Sequence, residues 1–120
     1  MRLDANSARA EFNRIRPKYL KDLADGKNGL APLRQEIVKA LGPVKAEKLF
    51  GDFRLGKTGD EWQVHHINPL KFKGENVYSN FIPVKTLFHQ KYTKDLHNFT
   101  RDFDPHGAGH INWIKSKAWK

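Results

Sequence analysis

One stretch limits what this chain can become: Glu61-Trp62-Gln63-Val64-His65-His66-Ile67-Asn68-Pro69. Trp62 and Val64 alternate with Glu61, Gln63 and His65, the period of a half-buried strand. Asn68-Pro69 ends it, because proline has no ladder donor and restricts the residue before it. Gly74-Glu75-Asn76 is a turn signal, Phe81-Ile82 is a second short apolar run capped by Pro83, and helical spacing starts at Lys85. The unit is strand, loop, strand, helix. Two short strands and one helix are too small to stand alone, so the remaining chain has to cover them.

The first 60 residues supply that cover as helices. Ser7 is placed to cap a segment whose apolar positions, Phe12, Ile15, Tyr19 and Leu23, are three or four apart. Pro17 predicts a kink or two short helices, and Gly26 an end. Leu30, Leu33, Ile37 and Leu41 form a second stripe, with Pro32 near its start and Gly42 after its end. Pro43 to Phe50 reads as a third helix stopped by Gly51. Residues 51–60 are loop-rich, and Arg54 and Lys57 there either contact phosphates or decorate an ordinary turn. Beyond the motif, Phe88, Tyr92, Leu96 and Phe99 form a helical stripe with His89 at its margin and Lys85, Lys91 and Lys94 nearby. A loop over 101–109 precedes Ile111, Ile114 and Trp119, which predict a terminal helix packing back. The expectation is one α+β domain over 1–120: helical support in 1–60, the motif in 61–99, and a C-terminal loop and helix in 100–120.

The residue types in the motif suggest chemistry. Histidine has the unperturbed pKa nearest neutrality, and its neutral form ligates metals. A doublet with a further histidine could supply both metal ligands and a general base. In a regular strand, however, His65 and His66 point to opposite faces. They share a cleft only if the strand ends or twists between them, or if each serves a different side of the reacting group.

Charge points to the partner. The 22 Lys and Arg against 13 Asp and Glu give a net +9, which favours a polyanion, most economically nucleic acid. The chain has no cysteine, which excludes disulfides and Cys-rich zinc ribbons. No apolar run approaches the ~20 residues of a membrane span, so no membrane partner is expected. The amino terminus lacks the apolar core of a secretory signal, so export would depend on another segment or machine.

His65-His66-Ile67-Asn68-Pro69-Leu70, Gly74-Glu75-Asn76, Asn80-Phe81-Ile82-Pro83-Val84 and His89 resemble the HNH nucleases, the ββα-metal or His-Me finger group. Within that group the doublet looks most like the colicin-type and polymorphic-toxin nuclease domains. The resemblance runs from Trp62 to about Leu96. It implies a ββα-metal finger, a short hairpin plus helix, with His66 as general base and His65 and His89 as ligands of one divalent ion. It also implies Asn80 as the residue holding the base. Colicin-type domains carry a further ligand one helical turn past the position of His89, where this chain has Thr93. His97 lies about 12 Å along a helix from His89 and should not reach the same ion. The ligand set is then His65, His89 and water, or it borrows His106 or His110; Mg, Mn, Ni and Zn all remain open. Gln63 stands where an acidic residue often precedes the doublet.

What the resemblance implies functionally is a metal-dependent endonuclease of DNA with little sequence specificity, leaving 3′-hydroxyl and 5′-phosphate ends. Arg54, Lys57 and Lys85 are its candidate nucleic-acid contacts. It further implies a secreted or delivered toxin domain acting in a target-cell cytoplasm, with a small acidic immunity protein as cognate partner; otherwise the protein is cytoplasmic. Two rival classes stay open: a ribonuclease with the same site, and a non-catalytic nucleic-acid-binding module with a structural zinc.

Overall fold

A computed structural model describes residues 5–68, 74–88 and 108–119. Within them lie four α-helices and two strands: α1 (Ala5–Asp25), α2 (Ala31–Leu41), α3 (Pro43–Arg54), β1 (Trp62–His66), β2 (Phe81–Lys85) and α4 (Ala108–Ala118). A 3-10 turn, Tyr78–Asn80, leads into β2, and residues 86–88 are helical. The class is α+β, helical around one two-stranded antiparallel sheet. No helix among the described residues is long and apolar enough to cross a membrane.

α1 runs through Pro17 as one helix rather than two short ones, and Ser7 lies inside it rather than at its cap. Pro17 cannot donate to the Asn13 carbonyl, which normally costs ~3 kcal/mol in a helix interior. The helix holds because both sides of the proline are anchored: Phe12, Tyr19, Leu20 and Leu23 are all buried. Pro17 also packs on the backbone of Gly56, where a Cβ would come within 3.1 Å of the proline Cβ. Gly56 has φ +75°, so a side chain there would be strained by the backbone and crowded by Pro17.

α2 and α3 follow their apolar stripes, joined by Gly42 at φ 85°. α3 passes Gly51 and ends at Arg54, three residues beyond the glycine. Burial of Phe53 outweighs the modest helix penalty of one glycine. Two arginines then meet at the C-terminal end of α1. Arg34 donates to the Ala24 carbonyl at 2.7 Å and to Glu47 at 3.0 Å, while Arg54 reaches Asp25 at 3.2 Å and Ala24 at 3.4 Å. Cations at the negative end of a helix dipole are favourable.

The strands pair with Trp62 opposite Lys85, Val64 opposite Pro83 and His66 opposite Phe81. β2 therefore runs through Pro83 instead of stopping there. Flanking bonds from Thr86 N to Glu61 O and from Ile67 N to Asn80 O, both 2.8 Å, fix which pairs exchange hydrogen bonds. By that alternation Val64–Pro83 is a non-hydrogen-bonded pair, and the proline nitrogen faces away from β1. The outward Pro83 carbonyl accepts from Trp119 Nε1 at 2.8 Å, and that of Phe81 from the Tyr19 hydroxyl at 3.1 Å. Trp113 packs edge-on against Phe88, Ile114 is fully buried, and Lys115 pairs with Glu36 at 2.7 Å. The C-terminal helix thus packs back as its apolar positions predict.

Candidate functional site

His66 is the last residue of β1 and faces α1. Its ring lies 4.3 Å from that of Phe12 and 5.2 Å from that of Phe81, which meets it at 89°. The non-hydrogen-bonded pairing with Phe81 brings those two side chains together. His66 Nε2 is 2.9 Å from Asn76 Oδ1. Asn76 in turn donates its amide nitrogen to the Ala8 carbonyl at 2.7 Å and to Glu11 Oε1 at 3.0 Å. Burial, the largest influence, and the charge of Arg9 push the imidazole below its ordinary pKa, against the opposing pull of the Asn76 hydrogen bond. The ring is therefore mostly neutral at pH 7, with a lone pair to offer.

Beside His66 opens a cleft of about 680 Å³ between α1, the 56–60 loop and β1. His65 and His66 both line it, with Arg9, Arg16, Lys57 and Asp60. The guanidinium carbons of Arg9 and Arg16 stand 5.8 and 5.4 Å from the Phe12 ring centroid, within cation–π range. A neutral base with three cations around it is suited to a phosphate and a water.

The expected site residues divide between this cleft and other places. His65 is buried and pairs with Ile82, so the ladder continues through both histidines and they take opposite faces of a regular strand. They nevertheless reach one cleft, without the strand ending between them. Lys57 is there as expected. Arg54 is the last residue of α3 rather than part of the loop, and its guanidinium engages Asp25, Glu47 and Ala24. Lys85 lines a separate cleft of about 550 Å³ with Lys45 and Lys48, on the far side of the 58–60 loop.

Asn80 is buried and its amide binds backbone: it accepts from Asn68 N at 2.8 Å and donates to Asn68 O at 3.0 Å and Glu75 O at 2.9 Å. Those bonds clamp the two ends of the loop joining the strands, whereas the bond to the His66 ring comes from Asn76. His89, Thr93, His97 and His106 lie outside the described residues, and His110 falls in α4. Among the described residues no three His, Cys, Asp or Glu side chains gather closely enough to hold a metal ion.

Four residues of the site, Arg9, Glu11, Arg16 and Asn76, escaped the sequence reading. Arg9, Phe12 and Arg16 do share one helical face by their i, i+3, i+7 spacing, a signal that was available. Asn76 stood as part of a turn and of the quoted motif with no role of its own, and nothing local connects it to residues 65 and 68 positions away on α1. No family model matches the chain, and no curated protein or solved structure is significantly similar to it.

Proposed function

We propose that this domain is a metal-dependent endonuclease of the HNH, ββα-metal type, hydrolysing DNA phosphodiester bonds with little sequence specificity. The observation that supports this most is His66, buried against Phe12 and held by Asn76, opening on a cleft lined by Arg9, Arg16 and Lys57. The three cations would hold the phosphate against the strand end. With Nε2 engaged by Asn76, His66 Nδ1 would accept a proton from water as that water attacks phosphorus. Breaking the P–O3′ bond then leaves a 5′-phosphate, and a 3′-hydroxyl once the leaving oxygen takes a proton from solvent. A divalent ion (Mg, Mn, Ni or Zn), with His65 and His89 as its proposed ligands, would supply positive charge against the phosphate and the leaving oxygen. In the toxin-type reading the domain is delivered to a target-cell cytoplasm, and an acidic immunity protein complements its +9 charge.

The test is supercoiled plasmid incubated with the protein, with and without EDTA and with each divalent ion separately, beside total RNA under the same conditions. Nicked and linear plasmid that appears only with metal is expected. Intact plasmid beside degraded RNA would replace the reading with a ribonuclease. Tight binding of both without cleavage by any ion would leave a binding module.

A further inference from the structure

The amide of Asn76 is held at both ends, and the two ends are not equivalent. One end meets the His66 ring nitrogen; the other meets the Ala8 carbonyl and the Glu11 carboxylate. An asparagine amide is nearly isosteric under a flip that exchanges its oxygen and nitrogen. The α1 side settles which way round it sits, because a carbonyl and an ionised carboxylate only accept hydrogen bonds. The amide nitrogen must therefore point to α1 and Oδ1 must point to His66. An oxygen there requires His66 to donate, so Nε2 carries the ring proton and Nδ1 keeps its lone pair.

We infer that Glu11 is a positioning residue that, together with the Ala8 carbonyl, sets the tautomer of His66 by fixing the orientation of the Asn76 amide. The inference builds on the reading of His66 as general base. It gives α1 a part in the chemistry through Asn76, 65 positions from Glu11 in sequence, since Glu11 acts on the imidazole only by way of that amide and helps decide which ring nitrogen is basic. A flipped Asn76 would lose both α1 bonds, set its own oxygen against the Glu11 carboxylate, and favour the Nδ1–H tautomer, whose basic nitrogen is tied up against Asn76.

Ring-nitrogen NMR of protein labelled with ¹⁵N-histidine tests this, with His66 assigned by comparison with His66→Ala, alongside plasmid cleavage at saturating metal. In the native protein His66 should show a protonated Nε2 and an unprotonated Nδ1. Asn76→Ala should lose the single tautomer, and Glu11→Gln should populate the second one detectably, because glutamine can offer either end of its own amide and only the Ala8 carbonyl then holds the native orientation. Turnover should fall about 10–100-fold in Asn76→Ala with KM changed less than about twofold, and should fall less far in Glu11→Gln. An Nδ1-protonated His66 in the native protein, or a tautomer unchanged in Glu11→Gln, overturns the inference. Glu11→Gln, near-isosteric, carries the test if Asn76→Ala does not fold. Loss of the tautomer in a protein that cleaves no nucleic acid upholds the positioning role and overturns the nuclease reading. Unchanged turnover in both variants does the reverse.

Discussion

The Phe12 and His66 rings lie 4.3 Å apart, tilted by 55°, the tightest aromatic contact among the described residues. Through it α1 both covers the sheet and desolvates the candidate base. Phe12 is 2% exposed, so Phe12→Ala leaves a cavity beside His66 and should destabilise the protein by about 3–5 kcal/mol. Urea denaturation of the two proteins measures it. A loss below about 1 kcal/mol would mean that α1 is not clamped to the sheet at this point.

Asn80→Ala should damage the fold through the loop between the strands. Three backbone groups, Asn68 N, Asn68 O and Glu75 O, lose their side-chain partner. At about 1 kcal/mol net for each bond, and more where a buried group is left unpaired, the cost should reach about 3 kcal/mol. It should exceed that of Asn76→Ala in thermal denaturation followed by circular dichroism, and amide exchange at Asn68 should quicken. An Asn80→Ala protein of native stability with slow turnover would return Asn80 to the role of holding the base.

Alkaline stability should depend on Tyr78. Burial first, and then the hydrogen bond to Asp22 and the charge of that carboxylate, push the Tyr78 hydroxyl up from 10.0 to about 12. A raised folded pKa stabilises fully below the unfolded value and loses that contribution as pH climbs from about 10 to about 12. Tyr78→Phe should thus be less stable than the native protein at pH 8, by about 1 kcal/mol for one part-buried bond, with the gap closing above pH 10. Asp22 has the opposite sign. Burial pushes its carboxyl up, but hydrogen bonds from Asn28 and Tyr78 and the charges of Lys18 and Lys27 outweigh it and hold the pKa below the ordinary value. Its contribution is present above the unfolded pKa of about 3.8 and fades as pH drops through the lower folded value. Denaturant midpoints across pH for native, Tyr78→Phe and Asp22→Asn proteins would show both limbs.

Substituting Arg9, Arg16 or Lys57 by Ala should weaken binding to duplex DNA uniformly across sequences. Each should lower the slope of log affinity against log salt by about 1. Arg54→Ala, whose guanidinium is held by Asp25, Glu47 and Ala24, should leave that slope unchanged while loosening the end of α1. A slope insensitive to the three cleft cations would move the nucleic-acid track elsewhere, with the Lys45, Lys48 and Lys85 cleft the next to test.

Much of the fold was legible where one residue's neighbours in sequence decide its state. The strand at Trp62–His66, the Leu30 to Leu41 stripe and the buried Ile114 and Trp119 lie where their spacing implies, although within the strand His65 is buried and Val64 only half-buried, against the alternation. The misplaced boundaries share a cause. Pro17, Gly51 and Pro83 each look like a stop in isolation, and each is overridden by tertiary structure: the burial of Phe12 and Tyr19 on either side of Pro17, the burial of Phe53, and a pairing position that needs no donor at Pro83. The site divides in the same way. The His65-His66 doublet carries its own signal, whereas the Glu11–Asn76–His66 connection exists only once α1 lies across the hairpin.

The outer edge of β2 has a consequence for how copies of this protein meet. Along that edge Phe81 N is bonded to Tyr78 O, Phe81 O to Tyr19, and Pro83 O to Trp119, while Pro83 has no N–H to give. A strand arriving from another molecule finds no open row of donors and acceptors at these positions. The hairpin is therefore sealed against edge-to-edge pairing on this side, a common route by which exposed strands recruit one another into aggregates. A sheet of two strands would ordinarily invite a third; here a proline, a tyrosine and a tryptophan decline it.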